Sequence, residues 1–306
     1  MGKKNSWAVL AILALELLAL RLLAPYLVTG PALVSMGRQL AVTGVVAVGM
    51  GIILLGGGMD LSLGAIVALT GMVAAELMAQ GVPVLPAAAL CVLLGLLLGW
   101  INGMVTAKVR IHPFILTMAL GVVYRGLGKM VHKGMPIYNL PEALHRFDRG
   151  TFLEIPWTVW IFLLCVGLGT FLLSKTYLGK YIYALGADGK AARLAGVDTV
   201  RVQWIVYGLG GFFAGVASML LLSRVGSAQP GAATGVELDV LVGAALGGVS
   251  FKGGRGLLLH MILGIFILEV LGNALLLLSV GEYYRNLLKG AILLGALALD
   301  SANKEE

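Results

Sequence analysis

Residues 51–71 read GIILLGGGMDLSLGAIVALTG, and this stretch decides the fold class of the chain. One carboxylate, Asp60, stands in an otherwise apolar run just after the three glycines at 56–58. Glycines interrupt a helix and let backbones approach closely. An acid inside a membrane usually faces a partner group or a water-filled path, and interrupted helices with polar groups at membrane depth are typical of transporters. The stretch therefore predicts a membrane protein through which something passes.

The composition of the whole chain agrees with this interpretation. Hydrophobic residues make up 59% of the 306 residues, charged residues only 12%, and the mean hydropathy is +0.96. A soluble globular chain is about 25% charged. At about 20 residues per spanning helix, the apolar runs leave room for about eight to ten spans. We therefore predict an all-α polytopic membrane protein with a single transmembrane domain over residues 1–306.

The apolar runs place the predicted helices along the chain. They cover residues 7–28, 39–57, 62–80, 84–107, 113–128, 157–174, 203–223, 238–249, 257–279 and 287–300. The eighth is short, as a broken or re-entrant piece would be. Lys3 and Lys4 place the N-terminus in the cytoplasm by the positive-inside rule, and an even number of spans returns the C-terminus to the same side. The net charge of +7 suits cytoplasmic loops near anionic lipid, and we expect no nucleic-acid partner.

A weak internal repeat divides the chain into possible halves, 1–150 and 151–306. Residues 58–65, GMDLSLGA, resemble residues 237–244, ELDVLVGA. Halves with an odd number of spans each would be inverted relative to each other, as in many transporters. Two segments rich in leucine and glycine also resemble each other by chance, so both interpretations stay open.

Asp60 and Ser62 form the first candidate site, where the second predicted helix gives way to the third. We interpret them as polar groups that line or gate a path. Alternatively, Asp60 caps the next helix by accepting N–H groups at its start, and the two interpretations are compatible. Asn102, within the stretch GWING, is a further path candidate. It is equally suited to a hydrogen bond between closely packed helices.

Glu269 and Asn273 form the second candidate site. They are four residues apart in a predicted helix and therefore share a face. A carboxylate and an amide could offer an acceptor and donors to a hydroxylated solute. The alternative is a hydrogen bond between helices inside the bundle.

The polar stretch 174–201 is the third candidate. Asp188 is a suitable N-cap for a short helix over residues 189–195, and Gly196 is a suitable C-cap. Small side chains such as Ala191 and Ala192 would let so short a helix enter a groove of a partner protein. From composition alone, an ordinary connecting loop with a solvated helix is the favoured interpretation.

Enzyme signatures are absent from the sequence. It has no P-loop, no HExxH and no GxSxG motif. Cys91 and Cys165 lie in apolar runs and predict buried thiols, not a disulfide or a metal site. The four histidines stand in separate segments without ligand spacing. We therefore expect no catalytic residue, cofactor or metal in this chain, and any ATP and magnesium would be bound by another subunit.

Four motifs give the chain a family resemblance. Residues 57–64, GGMDLSLG, resemble the stretch GGIDLSVG of the permease subunits of bacterial sugar ATP-binding-cassette (ABC) importers, the ribose, xylose and galactose permease group. The other matches are GKYIYALG at 179–186 with AARLAGV at 191–197, SAQP at 227–230 with GVELD at 235–239, and LGGVS at 246–250 with GGRG at 253–256. The resemblance covers residues 40–300 in order, and the four motifs together are specific.

The resemblance implies an assembly of several subunits. It implies a permease dimer of about ten helices per chain, a cytoplasmic ABC ATPase subunit, a periplasmic solute-binding protein and a location in the bacterial inner membrane. It also implies that 186–197 holds a coupling helix that docks on the ATPase, against the solvated-loop interpretation. The residues carried over for that contact are Gly186, Asp188, Ala191, Ala192, Arg193, Leu194 and Gly196. Glu269 departs from the family, which commonly has a small residue there.

The sequence thus predicts an importer permease for a monosaccharide or a similar small polar solute. Branched-chain amino acids or nucleosides are alternative cargoes, and the second permease chain could be identical or a sister chain. Two other classes stay open. One is an ion-coupled secondary transporter that uses Asp60 or Glu269 as a proton site, and the other is an intramembrane enzyme.

Overall fold

A computed structural model describes residues 13–15, 18, 21, 29–109, 111–277 and 280–302. Residues 13–15, 18 and 21 are helical. The other residues of the predicted first helix, 7–28, lie outside the described residues. Lys3 and Lys4, on which the predicted orientation depends, also lie outside them.

The first half of the described chain is almost entirely helical. It contains α1 (Gly30–Leu55), α2 (Leu63–Ala79), α3 (Val84–Lys108), α4 (Pro113–Val131) and α5 (Glu142–Arg149). A small antiparallel hairpin follows, with β1 (Thr151–Phe152) and β2 (Ile155–Pro156), in which Thr151 lies opposite Pro156. The hairpin leads directly into the next long helix.

The second half begins at that helix. It contains α6 (Trp157–Lys175), α7 (Tyr177–Ala187), α8 (Gly189–Leu194), α9 (Thr199–Val225), α10 (Val236–Leu246), α11 (Leu258–Leu277) and α12 (Glu282–Ala302). The predicted helices agree with these to within a few residues at most ends. The larger difference is α1, which begins at Gly30 and not at 39 because a proline at its start suits the first helical turn. The sequence did not predict α5 or α7.

Six helices among the described residues are long and apolar enough to cross a membrane. They are Ala32–Leu55, Val84–Lys108, Pro113–Val131, Trp157–Lys175, Thr199–Val225 and Leu258–Leu275. The apolar α2 has 17 residues, and α10 has 11, as expected for the short eighth piece. The chain is therefore a helical polytopic membrane protein, and the total of about ten spans stays a prediction.

Helix α9 lies at the centre of the bundle and packs on α1, α2 and α3. Its contact with α3 is lined by glycines four residues apart, at 95 and 99 on α3 and at 211 and 215 on α9. A Cβ atom on Gly99 would lie 2.9 Å from the Cα of Gly211, so the two backbones touch directly. The middle of α1 is fully buried beside them, whereas α3, α4 and α6 carry many exposed apolar side chains, as lipid-facing helices do.

The starts of α2 and α10 meet inside the bundle. A Cβ atom on Gly64, in the first turn of α2, would overlap the carboxylate of Glu237, in the first turn of α10. Arg125 of α4 lies at the same place and donates to the carbonyl oxygen of Ala232 at 3.4 Å. The two segments that resemble each other in sequence, 58–65 and 237–244, are therefore in contact. Duplication with inversion stays a prediction.

Candidate functional site

The interruption between α1 and α2 spans residues 56–62 and carries Asp60. The side chains of Asp60 and Ser62 are completely buried. The Asp60 Oδ1 accepts the backbone N–H of Ser62 at 2.8 Å and its hydroxyl at 2.6 Å. Among the bonds of the described residues, Asp60 accepts the N–H of Ser62, the N-cap residue, and none from the first turn of α2, which begins at Leu63, so it does not cap that helix as the alternative interpretation predicted.

Asn102 of α3 completes the same cluster. Its Nδ2 donates to Asp60 Oδ2 at 2.9 Å and to Ser62 Oγ at 2.7 Å. Its Oδ1 accepts the hydroxyl of Tyr124, on α4, at 2.7 Å. The structure therefore brings together three residues that the sequence proposed, Asp60, Ser62 and Asn102, and adds Tyr124. We call these four residues the Asp60 cluster.

Two further hydroxyls hold the backbone of the interruption. The backbone N–H of Leu61 donates to Thr117 Oγ1, on α4, at 3.0 Å. The Tyr207 hydroxyl, on α9, donates to the carbonyl oxygen of Met59 at 3.2 Å. Together with the Asp60 cluster, these bonds tie the interruption to α3, α4 and α9. These residues form a buried hydrogen-bond network in which the side-chain oxygens and nitrogens are paired with other protein groups.

The second predicted pair does not act as a pair. Asn273 donates to the backbone carbonyl of Glu269 at 2.9 Å, within α11. The Glu269 carboxylate instead accepts Gln39 Nε2 at 2.7 Å and Thr43 Oγ1 at 2.8 Å, both on α1. Arg224, near the end of α9, donates to Gln39 Oε1 at 3.2 Å. This is the bond between helices that the sequence left open as the alternative.

The two polar sites lie at different levels of the bundle. Thr43 and the end of α1 at Leu55 are about 18 Å apart along the helix, at 1.5 Å per residue. Glu269 is bonded at the Thr43 level and Asp60 lies beyond Leu55. The path candidates therefore form two separate groups that α1 connects.

The third candidate folds as a short helix with both ends capped. The Asp188 Oδ1 accepts the backbone N–H groups of Lys190 at 2.8 Å and Ala191 at 3.0 Å. These bonds from Ala191 and Lys190 hold the pKa of Asp188 below its usual value. At the other end the C-cap position is Ala195, and Gly196 follows with a φ of +87°, so the predicted glycine closes the helix one residue later.

The side chains of this helix divide into two groups. Ala192 is buried against the protein, whereas Ala191 and Arg193 are exposed; outside the helix, Gly186 near the end of α7 is partly exposed and Gly196 is exposed. Leu194 is 90% exposed, the most exposed of the large apolar side chains described. The segment before it, α7, was missed because it lies in the polar stretch 174–201, for which the sequence predicts a connecting loop with one short helix. The described residues contain no group of three or more His, Cys, Asp or Glu that could hold a metal ion.

Comparison with known proteins gives a consistent result. The model of the family described as "branched-chain amino acid transport system / permease component" matches residues 32–297. The ribose import permease protein RbsC of Escherichia coli K12 is 35% identical over 98% of this chain and 94% of its own length. RbsC of Bacillus subtilis 168 is 37% identical over 86% and 82%, and the L-arabinose permease AraH of E. coli K12 is 32% identical over 97% and 90%. No solved structure matches the chain.

Proposed function

This chain belongs to the permease family whose model it matches, and from that premise we propose that it is the membrane-spanning subunit of an ABC importer for a monosaccharide or a similar small polar solute. The relatives named as ribose and L-arabinose permeases cover nearly the whole chain. That agreement over the full length is the observation that carries the proposal.

The helix α8 supports a contact with a separate ATPase. Caps at Asp188 and Gly196 define its ends, and its Leu194 side chain projects away from the protein. Full burial of a leucine side chain is worth about 1.5–3 kcal/mol, so a hydrophobic groove on a partner would bind it favourably. We infer that α8 is the coupling helix and that it faces the cytoplasm. In the predicted topology both termini lie on that same side.

The polar sites are closed in the conformation described, because their side chains bond to one another within the bundle. We infer that the Asp60 cluster holds the path shut in the conformation described, and that Glu269 with Gln39 belongs to the other end of the path. Few polar groups are needed along it, because a periplasmic binding protein would select the cargo. That protein would contact the loops around 129–156, 224–238 and 280–286.

The other subunits of the proposed importer are an ATPase and a second permease chain. With no P-loop in the chain, ATP and magnesium would be bound by the ATPase subunit. A second permease chain, identical or a sister chain, would complete the inner-membrane assembly, with lipid around its exposed apolar helices.

The test is reconstitution in liposomes with the ATPase and a set of candidate binding proteins. We expect a binding protein loaded with a pentose or hexose to stimulate both ATP hydrolysis and solute uptake. Stimulation only by a binding protein loaded with leucine would replace the sugar by the cargo class that the family description names. Uptake driven by a proton gradient without any ATPase would refute the importer and favour a secondary transporter that uses Asp60 or Glu269.

The coupling helix has its own test. Leu194→Asp should abolish co-purification of the ATPase, because a charge replaces the exposed apolar side chain. Leu238→Asp is the matched control, since Leu238 is also exposed but lies in α10, away from α8. Equal recovery of the ATPase with both variants would remove α8 from the contact.

A further inference from the structure

Three backbone segments meet at glycines near the start of the interruption. They are Gly57 after α1, Gly186 near the end of α7, and Gly253–Gly254 in the loop after α10. The Gly254 N–H donates to the carbonyl oxygen of Leu55 at 2.9 Å. A Cβ atom on Gly57 would lie 3.1 Å from the Cα of Gly186. We call this contact the glycine junction.

The glycine junction leaves no space for a side chain. A Cβ atom on Gly186 would meet the Leu55 carbonyl oxygen and lie 2.5 Å from the Gly254 nitrogen. These are backbone atoms, which cannot rotate away as a flexible side chain can. Gly57, Gly253 and Gly254 also have φ between +70° and +90°, whereas Gly186 is not among the residues with positive φ. At position 186, glycine is therefore required by the close backbone contact and not by the backbone conformation.

The glycine junction connects the two functional segments. Gly186 stands two residues before Asp188, the N-cap of α8. Gly57 stands three residues before Asp60, and a Cβ atom on Gly58 would lie 2.8 Å from the Tyr207 hydroxyl. The backbone contact between Gly186 and Gly57 is thus a direct connection from α8 to the Asp60 cluster.

Space for movement is present beside it. A cavity of about 210 Å³ borders the glycine junction and is lined by residues 56–58 and by Leu185, Gly186, Tyr207 and Lys252, among others. A cavity next to a contact without side chains lets the backbone segments shift together without a clash.

We propose that the glycine junction transmits a displacement of α8 to the interruption that carries Asp60, so that its glycines are positioning residues for transport. The inference rests on the proposed function, because it takes α8 as the helix that the ATPase moves. A methyl group at Gly186 would force the segments apart while it leaves the exposed surface of α8 intact.

The experiment compares Gly186→Ala with Gly189→Ala in the complete complex with the ATPase and the binding protein. Gly189 is three residues away, and its added Cβ atom would only touch Leu185 at 3.5 Å, an ordinary contact. Co-purification of the ATPase and ATP hydrolysis are measured for both variants, and solute transport is expressed per ATP hydrolysed. In Gly186→Ala, solute transported per ATP should fall about 5-fold or more, the lower end of typical coupling between sites. Equal transport per ATP in the two variants would overturn the proposal.

A second measurement keeps the proposal testable if Gly186→Ala does not fold. Spin labels at L185C and K252C report the separation across the intact glycine junction. We expect the same separation in nucleotide-free and ATP-trapped complexes, because the segments move together. A separation that changes between the two states would overturn the proposal. If instead the unmodified chain neither binds the ATPase nor transports with it, the importer assignment fails, which is a different result.

Discussion

Replacing Asn102 by alanine should destabilise the protein by stranding the buried carboxylate of Asp60. In the native structure Asn102 Nδ2 donates to Asp60 Oδ2 at 2.9 Å and to Ser62 Oγ at 2.7 Å. Ser62 keeps its own donation to Asp60 Oδ1 in the variant. Tyr124 can redirect its hydroxyl to the carbonyl oxygen of Leu98, 3.4 Å away. The Asp60 Oδ2 is therefore the atom that loses its partner.

The expected loss of stability follows from this one unpaired carboxylate oxygen. A buried acceptor left without a hydrogen bond costs about 1–3 kcal/mol, and a charged one costs more. We expect Asn102→Ala to lower the free energy of unfolding by about 1–3 kcal/mol or more. Tyr124→Phe should cost about 1 kcal/mol, because it removes one bond and leaves only the neutral amide oxygen of Asn102 unpaired.

The assay is thermal unfolding of the purified chain in detergent, with Gln80→Ala as the control. Gln80 also makes one side-chain hydrogen bond, to Glu76, but on the exposed surface. Its loss should change stability by less than about 0.5 kcal/mol. If Asn102→Ala unfolds at the same temperature as Gln80→Ala, the Asp60 cluster does not hold the interruption as described.

Three further predictions concern other parts of the molecule. Gly99→Ala should cost about 1–3 kcal/mol because its methyl group would overlap the backbone of α9. Gly167→Ala, with nothing within 4 Å of its added Cβ, should leave stability unchanged or raise it by up to about 1 kcal/mol in the same unfolding assay. Thr43→Val keeps the side-chain shape but removes the hydroxyl that donates to Glu269 Oε1, which leaves that carboxylate oxygen without this bond, and we expect a loss of about 1–3 kcal/mol; unchanged stability would contradict that bond. The pKa of Asp188 is lowered, so its cap contributes above the unfolded-state pKa and is lost only as the pH falls through the lower folded-state value. The protection of the amide groups in the first turn of α8, measured relative to their intrinsic exchange rates, should therefore persist to a lower pH than for an ordinary carboxylate, and Asp188→Asn should abolish this pH dependence.

The positions of the long helices were predictable because they depend on local composition. Apolar runs of about 20 residues, with prolines at their starts, located α3, α4 and α6 to within a few residues. The cap at Asp188 was equally local, because the side chain binds N–H groups two and three residues ahead. The helices α5 and α7 were missed because they are short, and α7 lies in a polar stretch for which the sequence predicts a connecting loop.

The candidate sites were predictable only in part. Asp60 and Ser62 are two residues apart, so their bond is a matter of local geometry. Asn102 was identified as a polar residue in an apolar helix, but no sequence signal connected it to Asp60. Tyr124 and Tyr207 resemble ordinary core aromatics, and their hydroxyl groups became informative only when their partners were known.

The sequence by itself determined that this chain enters the membrane as a series of apolar helices with an acid at an interruption, because hydropathy and helix-breaking are properties of neighbouring residues. Only the tertiary structure decided which polar groups meet. Glu269 bonds to α1 and not to the side chain of Asn273, and Gly186 touches Gly57 across more than a hundred residues. Such contacts depend on how each helix is rotated and how closely its neighbours approach, and packing of the whole bundle sets both.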